Sequence, residues 1–361
     1  MRKLSVILAG VTVVVWSAAA WPQVGTWTSL TNITAHSGLV SDGTDLYRVE
    51  TSGANGNIYR YDGPVLDTWT QLTSAAFPIF DMGSPGEGDR ACALGGKIIT
   101  KRGESGTTLN IYDITTDSWS QTTAALVDPV NNYLGWAQGI AYTHAGSAGQ
   151  VWVTWTELDA ASNVAVAYAC AVYDVGTGTW GASYDFQAAT GAPPKWTRMA
   201  AVAVGDYVLA QTDNTNYMGQ AEAGRVGVDV YDLSTQPADF SGVWTYQYHD
   251  LSSGKMTNNV GSCFGTEAMA VDSGTGLVYI TAVDISPMRF VSYDPATNTW
   301  TELADGAGGG GYRTHDNGDL AGGWIYSRQG SSFEGYQVVP EPGVIALAGL
   351  GILGLLARRR K

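Results

Sequence analysis

Five stretches of the chain repeat one pattern: Tyr-Asp, a few turn-forming residues, then Trp. Three share the same spacing: Tyr112-Asp113-Ile114-Thr115-Thr116-Asp117-Ser118-Trp119, Tyr173-Asp174-Val175-Gly176-Thr177-Gly178-Thr179-Trp180 and Tyr293-Asp294-Pro295-Ala296-Thr297-Asn298-Thr299-Trp300. Tyr61-Asp62 to Trp69 has one extra residue, and Tyr231-Asp232 to Trp244 has a longer insertion. Tyr closes runs such as 109–112 and 290–293, whose β-branched and aromatic content reads as strand. The Asp carboxylate is expected to accept a backbone N–H two residues on and so open a turn. Pro295 suits the next position because its ring fixes φ. Two residues before Trp stand Asp67, Asp117, Gly178 and Asn298, types that tolerate the left-handed backbone a hairpin turn requires. Each unit therefore reads as a β-hairpin whose second strand opens on Trp.

A second hairpin precedes each unit. Examples are 90–94 and 97–101 around Gly95-Gly96, 198–204 and 207–211 around Gly205-Asp206, and 268–271 and 277–282 around 272–276. Four strands thus recur at intervals of 50, 61, 64 and 56 residues between Trp69, Trp119, Trp180, Trp244 and Trp300. Four-stranded units at a nearly fixed period predict an all-β propeller. The strand–Gly-Gly–strand, Tyr-Asp, Trp arrangement resembles Kelch repeats, whose period is about 50 residues. The match is degenerate, with a Gly pair in the expected turn only at Gly95-Gly96 and Gly322-Gly323.

The chain ends set the blade number. After Trp300 strands are expected at 312–316, 323–328 and 333–339, with no Trp to follow. Near the start, Gly25-Thr26-Trp27-Thr28-Ser29-Leu30 copies Asn298-Thr299-Trp300-Thr301-Glu302-Leu303 with no strands before it. The N-terminal segment is therefore expected to supply the outer strand of the last blade, which closes the ring and leaves no open edge. Five full blades and one shared blade make a six-bladed Kelch-like propeller over 21–338, with strand 25–30 completing the last.

Composition agrees. The 361 residues are 14% charged, with 46 Gly, 13 Trp and 19 Tyr. Such a chain is too apolar and aromatic for disorder, lacks a collagen period and is poor in long-helix formers.

The two ends read as addresses. Arg2 and Lys3, the apolar run 4–16 and Ser17-Ala18-Ala19-Ala20 describe a secretory signal peptide over 1–20. At the other end, Val339-Pro340-Glu341-Pro342 precedes the apolar run 343–357 and then Arg358-Arg359-Arg360-Lys361. That order resembles the PEP-CTERM sorting signal of Gram-negative bacteria. The resemblance implies a hydrophobic sorting helix over 339–361, transient inner-membrane anchoring, cleavage by an exosortase, and an envelope or extracellular destination in hosts that commonly make extracellular polysaccharide. Four terminal cations are expected to remain cytoplasmic. A plain tail anchor is the compositional alternative.

Setting aside Arg2, Lys3, Glu341 and the four terminal cations leaves 13 Lys+Arg against 32 Asp+Glu, a net charge of −19. Nucleic acid and anionic membrane surfaces are disfavoured partners, since both require clustered cations. Cys92, Cys170 and Cys263 are far apart, form no Cys-x-x-Cys pair and read as small buried hydrophobes.

Candidate chemistry centres on the channel mouth, where propeller ligands usually meet inter-strand loops. The beginnings of the innermost strands carry Asp89-Arg90, Arg198, Glu267 and Tyr312-Arg313, with Lys195-Trp196 nearby. Arg and carboxylate converging there could hold a polar ligand such as a sugar against an aromatic platform. The same groups could instead pair across the channel for structural reasons. His36, His144, His249 and His315 show no metal-ligand spacing, and no metal or cofactor is expected. The local motifs needed to carry over the oxidase activity of galactose oxidase, a Kelch-type copper enzyme, are missing. Asp42-Gly43-Thr44-Asp45 and Asp316-Asn317-Gly318-Asp319 read as ordinary turns rather than calcium loops, because the downstream bidentate Glu is missing. The Gly-rich run 306–311 lacks a phosphate-loop ending, and no Gly-x-Ser-x-Gly elbow occurs.

The favoured reading is an exported, non-catalytic binding or surface-structural module, with polysaccharide or another envelope protein as partner. The alternative is an extracellular glycan-active hydrolase, lyase or oxidase working at the channel mouth.

Overall fold

The computed structural model describes residues 25–33, 37–52, 55–72, 77–78, 91–101, 109–122, 150–159, 164–186, 201–210, 225–237, 242–251, 266–282, 289–305, 318–329 and 332–338. They form twenty-four strands in six antiparallel sheets.

Strand β1 is Trp27–Leu30. The first sheet holds β2 (Ser37–Ser41), β3 (Leu46–Ser52), β4 (Asn55–Tyr61) and β5 (Trp69–Gln71), with β6 (Phe77–Pro78) beside the start of β4. The second holds β7 (Ala91–Leu94), β8 (Lys97–Lys101), β9 (Leu109–Asp113) and β10 (Ser118–Gln121). The third holds β11 (Gln150–Asp159), β12 (Val164–Asp174) and β13 (Thr179–Phe186), its three strands among the described residues. The fourth contains β14 (Ala201–Val204), β15 (Tyr207–Ala210), β16 (Arg225–Asp232) and β17 (Thr245–Asp250). The fifth contains β18 (Thr266–Asp272), β19 (Leu277–Ala282), β20 (Arg289–Asp294) and β21 (Thr299–Glu302). The sixth contains β22 (Gly318–Ala321), β23 (Trp324–Gln329) and β24 (Ser332–Gln337), and β1 pairs with β24 as its outer strand.

The inner strands meet around the axis: β2 touches β7 and β22, while β18 touches β14 and β22. The architecture is a six-bladed β-propeller closed by its N-terminal strand, as the sequence predicts.

The repeated unit behaves as its chemistry requires. Asp67, Asp117 and Asn298 have φ of 49°, 48° and 52°, and Gly178 has 71°; the first three are the non-glycine residues with positive φ among those described. Thr115 and Thr116 N–H donate to Asp113 Oδ1 at 3.0 and 3.1 Å, Thr177 N–H to Asp174 Oδ1 at 2.8 Å, and Ala296 N–H to Asp294 Oδ1 at 2.9 Å. In register, Tyr61 lies opposite Trp69, Tyr112 opposite Trp119, Tyr173 opposite Trp180 and Tyr293 opposite Trp300. Their ring centroids are 4.8, 5.0, 4.9 and 4.2 Å apart, and those of Tyr231 and Trp244 are 5.0 Å apart. Aromatic contacts of this kind contribute about 0.5–1.5 kcal/mol each beyond the area they bury.

The sixth unit is split between the chain ends. Trp27 lies opposite Tyr336 in register, with ring centroids 5.4 Å apart. Gly25 occupies the left-handed position with φ 80° and donates its N–H to Gln337 O at 3.2 Å. That bond has the same place as Gly178 N–H to Asp174 O at 2.8 Å in the third blade. The ring is thus opened inside a Tyr…Trp turn and rejoined by the turn's own contacts.

One strand differs from expectation. The inner strand of the last blade is β22, Gly318–Ala321, not 312–316, which lies outside the described residues. Gly322 and Gly323 have φ of 55° and 78°, the two left-handed residues of a tight hairpin, and they set Ala321 opposite Trp324. The residues immediately before that turn must therefore form the strand.

Five seams between blades can be followed through described side chains. Val40, Val49 and Ile58 meet Ile98 and Tyr112; Ile99 and Leu109 meet Val151 and Tyr173; Leu209 and Val228 share a cluster with Val278 and Val291. Ala270 and Phe290 meet Leu320 and Ile325, and Leu46 and Tyr61 meet Tyr326 and Phe333. Cys92 packs against the second of these clusters as a small apolar group.

Candidate functional site

Antiparallel alternation sorts every connection to one of two faces. The hairpins joining first to second and third to fourth strands lie on one face, called here the turn face. The connections leaving the opposite strand ends define the far face. In chain order the candidate residues fall ahead of the inner strands or, for Glu267, at the start of one. Arg90 immediately precedes β7 and Arg198 shortly precedes β14, while Tyr312 and Arg313 lie further upstream of their inner strand than expected because that strand is β22. Asp89, Arg90, Lys195, Trp196, Arg198, Tyr312 and Arg313 lie outside the described residues, as do His36, His144, His315, Cys263 and the glycine run 306–311.

Glu267 lies in β18. Thr266 pairs with Ala282 and Ala268 with Thr281, so the register skips Glu267. This register step is that of a β-bulge.

On the turn face a cleft of about 520 Å³ opens between the sixth and first blades. It is lined by Thr44, Asp45, Arg60, Tyr61, Asp62, the tip Gly63-Pro64-Val65-Leu66, and Gly322, Trp324 and Tyr326. Several of its polar groups are already engaged by the hairpins. Asp62 Oδ2 accepts the Thr68 and Thr70 hydroxyls at 3.0 and 2.9 Å. The Tyr61 hydroxyl donates to Asp67 Oδ1 at 2.8 Å, and Asp67 Oδ2 accepts Thr31 N–H and Oγ1–H at 2.7 Å each. Burial, reinforced by the Asp67 carboxylate, pushes the Tyr61 phenol well above its ordinary range, so it serves as a neutral donor.

The calcium-like loop 42–45 is an Asx turn. Asp42 Oδ1 accepts Thr44 and Asp45 N–H at 2.9 and 2.8 Å, and Asp42 Oδ2 accepts the Tyr47 hydroxyl at 3.1 Å. Among the described residues no three His, Cys, Asp or Glu side chains cluster as metal ligands would. His249 packs at the seam between the fourth and fifth blades. It stacks on Trp300 with a 6.1 Å centroid separation, and its Nε2 lies 3.2 Å from Glu302 Oε1.

Tyr336 and the exposed apolar tip of the first blade are missing from the sequence reading. Tyr336 has no Asp after it, and its Trp lies at the other end of the chain. The Tyr column of the repeat carried the signal. The tip stands out only when Val65-Leu66 is set beside its counterparts Thr115-Thr116, Gly176-Thr177 and Ala296-Thr297, which are small or polar.

A family model for the PEP-CTERM protein-sorting motif matches residues 338–361. That motif is the recognition signal for exosortase processing and marks an exported, surface-sorted protein of the Gram-negative envelope. No curated protein matches the chain. Among solved structures, YjhT is similar at 12% identity over 84% of this chain and 94% of its own, with a TM-score of 0.50. The Dos1 propeller is similar at 11% identity over 84% of this chain and 70% of its own, TM-score 0.43. The Cps50 (Swd1) β-propeller domain of Myceliophteria thermophila is similar at 8% identity over 87% of this chain and all of its own, TM-score 0.47. At these identities the likeness is one of fold alone.

Proposed function

We propose that this exported, surface-sorted propeller acts as a non-catalytic binding or surface-structural module, with its ligand held at the far face. Extracellular polysaccharide is the favoured ligand class. Asp89, Arg90, Arg198, Glu267 and Arg313 would supply charged hydrogen-bonding groups, and Lys195, Trp196 and Tyr312 a cation and aromatic surfaces. The supporting observation is the state of the turn face. Its Asp and Tyr side chains are engaged inside their own hairpins in blade after blade, whereas the sequence stretches that carry or adjoin these eight residues do not repeat. Repeated chemistry serves the fold, and unrepeated chemistry is where a scaffold differentiates.

In the same reading the repeats are Kelch-like, residues 1–20 are the export signal, and residues 339–361 hold a membrane helix until the exosortase cuts. The test is a glycan-array screen of the purified chain, followed by a reducing-sugar assay on whatever is retained. Retention without turnover is expected. Asp89→Ala, Arg90→Ala and Glu267→Ala together should weaken retention at least about tenfold, the equivalent of about 1.4 kcal/mol. Unchanged retention, or release of reducing ends, would overturn the proposal.

A further inference from the structure

We infer that, while its tail is in the membrane, the propeller lies with its turn face against the bilayer, and that Val65 and Leu66 of the first blade and Val243 of the fourth enter the lipid interface. This rests on the sorting reading of the tail.

The tail leaves the fold on the turn face. Strand β24 ends at Gln337, and the Val338 N–H still donates to Gly323 O at 3.0 Å, in the β22–β23 turn. The sorting motif begins at that same residue, 338. No spacer separates the folded blade from the motif, and the exit lies on the turn face.

The tether is also short. Between Val338 and Gly343, where the apolar run starts, the chain advances five residues, at most about 18 Å when fully extended. Strand β24 has six residues and spans about 20 Å from one face to the other. A tether that short cannot run round the blade and bring the far face to the membrane, whatever path residues 339–342 take.

The surface on that face is apolar at its tips. Among the described residues the exposed large apolar side chains are Val65, Leu66, Val243 and Tyr248, the first three exposed by 72, 67 and 73%. Those three lie in connections of the turn face: 62–68 between β4 and β5, and 233–244 between β16 and β17. The equivalent turns of the second and fifth blades carry Thr115-Thr116 and Ala296-Thr297, so the fold does not require bulky apolar groups there. Apolar tips beside an apolar anchor fit an interfacial lipid contact. The net charge of −19 on the body favours zwitterionic over anionic lipid.

The full chain is reconstituted in vesicles of phosphatidylcholine and phosphatidylethanolamine. Photoreactive p-benzoylphenylalanine replaces Leu66, Val243 or, at the far-face end of β3, Ser52, one position at a time. Flotation reads the tail, and lipid adducts read the orientation. The chain should float with the vesicles, and positions 66 and 243 should give at least tenfold more lipid adduct than position 52. Flotation with equal adducts, or more at 52, would overturn the orientation while leaving the tail reading intact. Failure to float would overturn the tail reading and the inference with it.

Discussion

The two faces of the propeller are served by the same strands but by different kinds of connection. On the turn face, 95–96, 114–117, 175–178, 295–298 and 322–323 each close a hairpin with a few residues, and the polar groups bond within the hairpin. Between one sheet and the next the sequence passes through stretches such as 79–90, 187–200 and 306–317, and none repeats another. The comparison teaches where information resides. A turn must satisfy the same backbone geometry in every blade, so it converges on the same residue types. A connection that only has to reach the next inner strand is free to differ, and so to carry specificity.

Three measurements would break or sharpen that contrast. The largest effect is expected at Tyr293, fully buried beneath Trp300. Tyr293→Ala should cost about 3–5 kcal/mol in urea unfolding, as for emptying other large aromatic sites. Glycan retention per folded molecule should be unchanged. A loss of retention without a loss of stability would mean that the turn face binds ligand.

A smaller effect is expected at Asn298, where the left-handed backbone and the acceptor for the Tyr293 hydroxyl at 3.2 Å coincide. Asn298→Ala should lose about 1–2 kcal/mol, the cost of a left-handed residue with a Cβ and no compensation. Asn298→Gly should lose less than half as much. Equal losses would show that the hydroxyl bond, and not the backbone, sets the residue type.

The smallest effect is a pH dependence. The Lys97 ammonium, followed by the Thr116 N–H, holds the Asp113 carboxyl down to about 2. A depressed carboxyl contributes stability that is fully present above its unfolded value near 4, and loses it as pH falls toward 2. Asp113→Asn should flatten that acid limb of the thermal-unfolding profile by lowering stability slightly at neutral pH while leaving it unchanged near pH 2, and the loss should be small because the pair is partly exposed and screened. An acid limb of unchanged steepness would remove this hairpin from the account.

The hairpins were legible because each is a local device. Asp113, Asp174 and Asp294 accept N–H groups two or three residues on, and Asp67, Asp117, Gly178 and Asn298 sit at the one position that needs positive φ. Those choices can be read from neighbours alone. The inner strand of the last blade was misplaced because 312–316 has suitable residue types but not the turn; Gly322-Gly323 selects 318–321 by adjacency. The bulge at Glu267 left no local mark either, since it arises from how β18 and β19 register over their whole length.

What the sequence by itself determined is the unit and its count: strand, turn and aromatic pair recur because backbone geometry makes the same demand each time. It also placed the closure, since residues 25–30 repeat the end of a blade that has no beginning. Only the tertiary structure decided what lies side by side. Tyr336 finds Trp27 across nearly the whole chain, Trp27 Nε1–H donates to Ala304 O at 3.1 Å in the neighbouring blade, and Val338 remains docked where the tail departs. Such contacts depend on the ring having closed. No stretch of neighbouring residues encodes that condition, because it is met only when every blade has taken its share of the circle.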